Sequence, residues 1–291
     1  MRVLVIGTSG YVGSAVAQRL SAAGHQVVAL IRPDRGKRAR RYEWRIGDLT
    51  DPDSLTAAVT GDIDAVIHAG TPTGDATVDA TAVAALTSRL RGTGRTFVYT
   101  SGVWVLGATG TATADENSPV NPIPIVGCRP DIESQVLDFA GVGIRTAVIR
   151  PGIVHGHGGG IPALLVDLAR KHGAPVVVAN ASVRWPMVHV DDLAALFGVV
   201  IEQAPAGTIW HGVSENAVPV RELAIAAGQA AGVGGEPQVW PLSQAQAELG
   251  ASFADALALD QSVSGHAARD RLGWRTEHPD AVPDLREGSY R

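Results

Sequence analysis

"VLVIGTSGYVGSAVAQRL", residues 3–20, sets the architecture of this chain. Val3 to Ile6 form a short unbroken apolar run, the pattern of a strand buried on both faces. Gly7, Gly10 and Gly13 follow at three-residue spacing, and a run with helical periodicity begins among them. The glycines allow a tight turn and close backbone approach. The helix start then presents unpaired N–H groups and a positive dipole end to a pyrophosphate. A glycine triplet alone is weak evidence; the preceding strand and following helix make it specific, against a structural turn without ligand. The loop residues expected at a dinucleotide are Gly7, Thr8, Ser9, Gly10, Tyr11, Val12 and Gly13.

Outward from this loop, strand and helix patterns alternate. "RVLVI" (2–6) reads as a strand, 11–24 as a helix and "QVVALI" (26–31) as a second strand. "DPDSLTAAVTG" (51–61) reads as a helix capped by Asp51, with Pro52 at its first position. "DAVIHAG" (64–70), a helix over 79–94, "RTFVYTS" (95–101), a helix from about 130 to 141 and "IRTAVIRPG" (144–152) continue the series. This rhythm predicts an α/β chain with a doubly wound parallel sheet covered on both faces. Beyond 152 the pattern loosens. Gly156 to Gly160 mark a loop, a strand-like "PMVHV" (186–190) leads into a helix over 191–203, and 215–291 reads as mostly helical. The expected organisation is a dinucleotide-binding domain over 1–160 and a smaller, mainly helical substrate lobe over 161–291, with about 186–213 returning to the first domain.

At 291 residues, with 45% apolar and 18% charged side chains, the chain can bury a substantial core. Net charge is −5, which argues against a nucleic-acid partner. Cys128 is the single cysteine, so no internal disulfide forms. No apolar run reaches the roughly 18 residues of a membrane helix, and the first residues lack a signal-peptide layout. The expectation is a soluble cytoplasmic protein with a small-molecule substrate and no membrane partner.

The end of the second strand bears on the cofactor. An acid there would bond the ribose 2′-OH of NAD(H). This chain has "ALIRPDRGKRARR", with Arg32 and Arg35 foremost and Lys37 and Arg38 behind. Guanidinium groups suit a 2′-phosphate, so NADP(H) is expected ahead of NAD(H), with Asp34 the counter-argument. A solvated basic helix start is the plainer reading of these charges.

Several further segments agree with one another. "GDLTD" (47–51), "VIHAG" (66–70), "YTSGVWVLG" (99–107), "VIRPGIVHG" (148–156), "MVHVDDLA" (187–194) and "LGW" (272–274) stand in this order after the G-x-x-G-x-x-G loop. With them the chain resembles the extended short-chain dehydrogenase/reductase superfamily, in its epimerase/dehydratase-like branch, over most of its length. The resemblance implies a Rossmann-type fold. It implies Asp48 and Leu49 near the adenine, Ala69 and Gly70 lining the cofactor, Thr100 and Ser101 in the segment of the catalytic Ser, and Pro151 beside the nicotinamide. It also implies a homodimer built on helices near 79–92 and 130–141.

The superfamily's proton-transferring Tyr, and the Lys four residues later, are not where the resemblance puts them. Anchored on Glu133, the Lys position holds Arg129 and the Tyr position Ile125. Pro130 disfavours a helical Arg129, so the helix is expected to start at Pro130. Arg129 cannot be an ordinary acid, but it can clamp a ribose, a phosphate or a carboxylate; a surface ion pair with Glu133 is the alternative. His155 and His157 follow the Arg-Pro-Gly turn, and His155 is the candidate proton donor. Their spacing raises a metal, but no third ligand stands nearby, and none is expected. Trp104 is a candidate pocket wall or core residue. Arg184 and Trp185 are expected to line the substrate side, and Asp191 to cap the helix at 191–203. Three functions remain open: an NADP-dependent oxidoreductase of a small carbonyl or imine with a replaced proton donor, a dinucleotide sensor without redox activity, and a non-redox isomerase, cyclase or lyase on the same scaffold.

Overall fold

The computed structural model describes residues 1–33 and 41–291. Along the chain run β1 (Arg2–Ile6), α1 (Tyr11–Ala22), β2 (Gln26–Ile31), β3 (Glu43–Ile46), α2 (Pro52–Ala58), β4 (Ala65–His68), α3 (Ala76–Ser88), β5 (Thr96–Thr100), α4 (Arg129–Asp138) and β6 (Arg145–Pro151). Then come β7 (Ile153–His155), α5 (Gly160–His172), β8 (Val176–Val178), β9 (Arg184–His189), α6 (Val190–Gln203), β10 (Thr208–Gly212), β11 (Glu215–Pro219) and α7 (Val220–Ala230). The last elements are β12 (Gln238–Trp240), α8 (Leu242–Leu249), α9 (Ala251–Leu257), α10 (His266–Leu272) and α11 (Ala281–Glu287).

The main sheet has seven strands in the order β10-β6-β5-β4-β1-β2-β3, all paired in parallel. This is the doubly wound architecture expected from the alternation. Central strands are covered on both faces and therefore carry unbroken apolar runs. One face packs α1, α6 and α10 through Val16, Leu20, Phe197 and Trp210. The other packs α2, α3 and α4 through Leu55, Leu86, Ile132 and Val136. Strand order reverses between β1 and β4, so the chain leaves their carboxyl ends in opposite directions and opens a crevice there.

The remaining elements make a lobe with its own core, including Leu165, Trp185, Leu223 and Leu285. Helices dominate it, but it also holds a three-stranded sheet, β11-β9-β7, and the pair β12-β8. β10 and α6 belong to the main sheet and its cover, whereas β9, between the two domains in sequence, pairs in the lobe's sheet.

Three local expectations need correcting. The fourth helix begins at Arg129, not Pro130, because a 3-10 turn over Pro124–Val126 and the αR residues Gly127 and Cys128 lead directly into it. Pro130 still lies in the first turn, where its missing N–H costs nothing. Helix α6 is capped by His189, whose Nδ1 accepts from the Asp191 amide, and not by Asp191. Trp185 packs in the lobe core with its indole N–H donated to the Leu257 carbonyl, and Arg184 pairs with Asp260.

Candidate functional site

A cavity of about 780 Å³ occupies the crevice at the strand-order reversal. Gly7, Thr8, Ser9 and Gly10 form its floor, Ala69 to Thr73 one wall, and Arg32 with Gly47 to Thr50 the far end. Gly7 has φ +93, and a Cβ there would lie 2.4 Å from the Ala69 carbonyl oxygen. A Cβ on Gly13 would lie 2.1 Å from the Gly7 carbonyl oxygen. Two of the three glycines are thus fixed by backbone-on-backbone contact, which brings the start of α1 against the loop. Gly10 caps α1 without any side-chain hydrogen bond, so the helix's first N–H groups are left for a ligand. The loop fits a pyrophosphate.

Tyr11 and Val12 do not face this cavity. Val12 packs into the core under α1. The Tyr11 hydroxyl donates to the Gly156 carbonyl at 2.6 Å, and burial raises its pKa well above the ordinary tyrosine value, so it stays protonated. Its ring lies against Gly159, where a Cβ would be 2.6 Å away. Tyr290 completes this joint: its hydroxyl accepts from the Gly156 amide and donates to the Gly159 carbonyl.

At the far end, Asp48 accepts from the amide and hydroxyl of Thr50, at 2.9 and 2.7 Å. These bonds hold its carboxyl below the usual range, with a smaller contribution from Arg32. Leu49 lines the same end. Arg35, Lys37, Arg38 and Asp34 lie outside the described residues. A basic residue missed by the sequence reading takes a place beside Arg32: Arg41 lines the cavity, its guanidinium 5.6 Å from the centre of the Tyr42 ring. Ser14, Gln18, Thr71 and Thr73 are further lining residues that sequence reasoning did not single out. The signal was available for Arg41, because the basic run extends to it.

The carboxyl end of β5 is a second polar centre. Arg129 reaches across from α4, with Nη1 3.5 Å from the Thr100 carbonyl and near Gly102. The Thr100 and Ser101 hydroxyls are buried without a partner among the described residues. Glu133 does not pair with Arg129. It is 2% exposed and receives three hydrogen bonds from Arg150, which is 3% exposed. This buried pair ties α4 to the end of β6, just before Pro151. Ile125, at the position of the missing Tyr, is exposed. Trp104 packs between the lobe core and a small cluster around Val105 and Val126, as a partly buried wall.

His155 does not line the cavity. It has no exposed surface, its Nδ1 lies 3.1 Å from Asp284 Oδ2, and its ring meets His189 edge-on at 5.1 Å. The ring is enclosed, with its Nε2 buried and without a partner among the described residues.

Two other buried imidazoles bear on pH. Burial, reinforced by the positive charge of Arg129 and opposed by Asp79, pulls His68 down to about 4. Burial and Arg150 bring His211 to about 4 as well. The unfolded chain protonates these rings near 6.5, whereas the folded chain resists until about 4. Stability is therefore full above about 6.5 and falls as pH drops towards 4, by about 2 kcal/mol per ring at pH 5. Thermal melts at pH 7 and pH 5 should show a lower Tm at pH 5; an equal or higher one contradicts the placement of these rings.

Among the described residues no helix is long and apolar enough to cross a membrane. The profile of the "NAD dependent epimerase/dehydratase family" matches residues 3–211. An uncharacterized protein of Schizosaccharomyces pombe is 32% identical over 303 residues, covering 100% of both chains. The 2'-dehydrokanamycin reductase of Streptomyces kanamyceticus is 32% identical over 240 residues, covering 77% of this chain and 64% of that one. The solved structure of human epimerase family protein SDR39U1 with NADPH superimposes with a TM-score of 0.78 at 22% identity, covering 99% of each chain.

Proposed function

This chain belongs to the NAD dependent epimerase/dehydratase family, and on that premise we propose that it is an NADP(H)-dependent reductase of a small carbonyl or imine compound. One observation carries the reading: a dinucleotide-sized cavity over the glycine loop is lined by Arg32, at the end of the second strand, and by Arg41, where a bound dinucleotide would bring the 2′ position of its ribose. Two guanidinium groups there favour a phosphate over a hydroxyl. The NADPH of the SDR39U1 structure and the reductase activity named for the Streptomyces kanamyceticus relative support the same reading.

The dinucleotide supplies the hydride when bound. The chain's own residues bind and orient. Gly7 to Gly10 and the backbone N–H groups at the start of α1 would hold the pyrophosphate. Arg129 replaces the family's Lys at the carboxyl end of β5, where it clamps the nicotinamide ribose or a substrate oxygen. The unpaired hydroxyls of Thr100 and Ser101, on the same strand end, are hydrogen-bond donors for a substrate oxygen. Trp104 walls the substrate side. A substrate whose own acid or iminium proton satisfies the product tolerates the loss of the Tyr.

Calorimetric titration tests the first half. NADPH should bind at least about 10-fold tighter than NADH, and Arg32→Ala should erase that preference while sparing NADH. Tighter NADH binding overturns the cofactor assignment; binding of neither overturns the redox reading. Loss of NADPH absorbance with carbonyl and imine substrates tests the second half. Binding without turnover across such a panel favours the sensor reading. Arg129→Ala should raise Kd or KM by about 10-fold or more, the worth of one charged hydrogen bond; unchanged values for dinucleotide and substrate remove Arg129 from the site.

A further inference from the structure

Histidines from three separate parts of the chain meet at the head of α6. The His278 ring stacks flat on His189, with centroids 4.5 Å apart and planes 5° from parallel, and the His157 ring meets His189 edge-on at 5.6 Å. All three direct a nitrogen at one carboxylate oxygen, Asp191 Oδ2. His157 Nε2 lies 2.7 Å from it, His278 Nε2 3.6 Å and His189 Nδ1 3.9 Å.

The tautomers suit coordination. His278 Nδ1 lies 2.7 Å from Asp192 Oδ1, and the Asp192 side chain is 3% exposed and also accepts from the Glu277 and His278 amides. That carboxylate holds the proton on Nδ1 and leaves the Nε2 lone pair facing Asp191. His189 Nδ1 accepts from the Asp191 amide at 3.2 Å, so its lone pair is on Nδ1. Its Nε2 is packed against Gly156, where a Cβ would lie 2.4 Å away. His157 stands on the exposed loop between Gly156 and Gly158 at φ +51, a conformation few side-chain-bearing residues adopt.

We propose that His157, His189, His278 and Asp191 form a binding site for one divalent transition-metal ion, zinc foremost. A tetrahedral ion with bonds of about 2.0–2.1 Å keeps its ligand atoms about 3.3 Å apart. His189, Asp191 and His278 already hold one ligand atom each within 4.8 Å of one another, and His157, exposed and paired with Asp191, joins them by rotating its side chain. Three imidazoles and one carboxylate suit zinc, copper or nickel and not the oxygen-seeking calcium or magnesium. Asp192 behind His278 is the outer carboxylate that metal-bound imidazoles usually have. The ion takes over the His189 lone pair, and the Asp191 amide becomes one more unpaired N–H in the first turn of α6. His155, bonded to Asp284, lies behind His189 and outside the set. Along the chain His157 has no third ligand within reach; folding supplies His189 and His278. A bound ion ties the segment around His278 to the 156–160 loop, which Tyr11 and Tyr290 already grip.

The test uses tag-free, metal-stripped protein without dinucleotide, so its result is independent of the reductase reading. Titration with Zn²⁺ should show one saturable site per chain and a raised Tm. The double variant His157→Ala/His278→Ala should bind Zn²⁺ at least about 100-fold more weakly, and Asp192→Asn about 10–100-fold more weakly. His266→Ala, at an exposed pair with Asp270 on α10, should bind as the parent does. His157 is 63% and His278 39% exposed at the side chain, so the double variant should keep its fold, checked by circular dichroism. Absence of one-to-one Zn²⁺ uptake overturns the proposal. So does uptake that survives in the folded double variant, or Ca²⁺ binding as tight as Zn²⁺ binding.

Discussion

A Gly13→Ala variant should lose dinucleotide affinity by about 100-fold or more while remaining folded. The alanine methyl would sit 2.1 Å from the Gly7 carbonyl oxygen and 2.5 Å from its carbonyl carbon. Both are backbone atoms, so no side-chain rotation relieves the overlap. The first turn of α1 must move away from the loop, or the loop must move into the cavity that Gly7 to Gly10 line. Either shift displaces the N–H groups that Gly10 leaves uncapped, and a hydrogen bond to phosphate does not survive a displacement of an ångström. The same overpacking lowers stability by about 1–3 kcal/mol. Gly61→Ala is the control, because nothing lies within 4 Å of its Cβ position. NADPH titration beside thermal melts separates the two effects. A folded Gly13→Ala protein that binds within threefold of the parent would show that the ligand does not sit on this loop.

The parts of the fold that could be read from sequence are those buried on both faces. β1, β2, β4, β5 and β6 lie inside the main sheet, so burial forces apolar runs that stand out from the helices between them. β3 escaped because it is the sheet's edge: Trp44 and Ile46 are exposed, and "EWRI" has no buried face to leave a pattern. Of the lobe's strands, three to six residues each, only β9 showed a strand-like run, "PMVHV"; the others carry too few alternations to read. At the site, the glycine loop was legible because its chemistry is local to one turn. Arg41 was legible only as the end of the basic run; that it lines the same cavity as Arg32 depends on the fold. The partner of Glu133 was misread for a related reason. Helical spacing offered Arg129, but the sheet places Arg150 deeper and closer, and a buried carboxylate takes the cation that is buried with it. His155 looked catalytic from its place after the Arg-Pro-Gly turn; its enclosure by Asp284 and His189 depends on contacts far along the chain.

Glu133→Ala should destabilise the protein by about 3–5 kcal/mol, the cost of leaving one member of a buried ion pair alone. Arg150 directs its Nε and one terminal nitrogen at Glu133, and Nη1 already has no partner among the described residues. Without the carboxylate, a buried guanidinium faces an apolar wall around Ile132, Val136 and Val148. Charge, more than packing, sets the size of the effect, and two further variants separate them. Glu133→Gln keeps shape and some hydrogen bonding and should cost less than the alanine. Glu133→Leu with Arg150→Met removes both charges and should recover most of the loss. Urea unfolding measures all three; a loss under about 1 kcal/mol for Glu133→Ala, or a double variant no better than the single, would mean that the pair carries little charge-dependent stability. The consequence extends to function through geometry. Arg129 is the first residue of α4, and Glu133 lies one turn later on the same helix. The pair fixes that turn against β6, and so fixes how far the Arg129 guanidinium reaches towards the Thr100 carbonyl. In the double apolar variant the fold should return while KM stays raised, because leucine and methionine can refill the space but cannot restore the angle at which α4 presents Arg129.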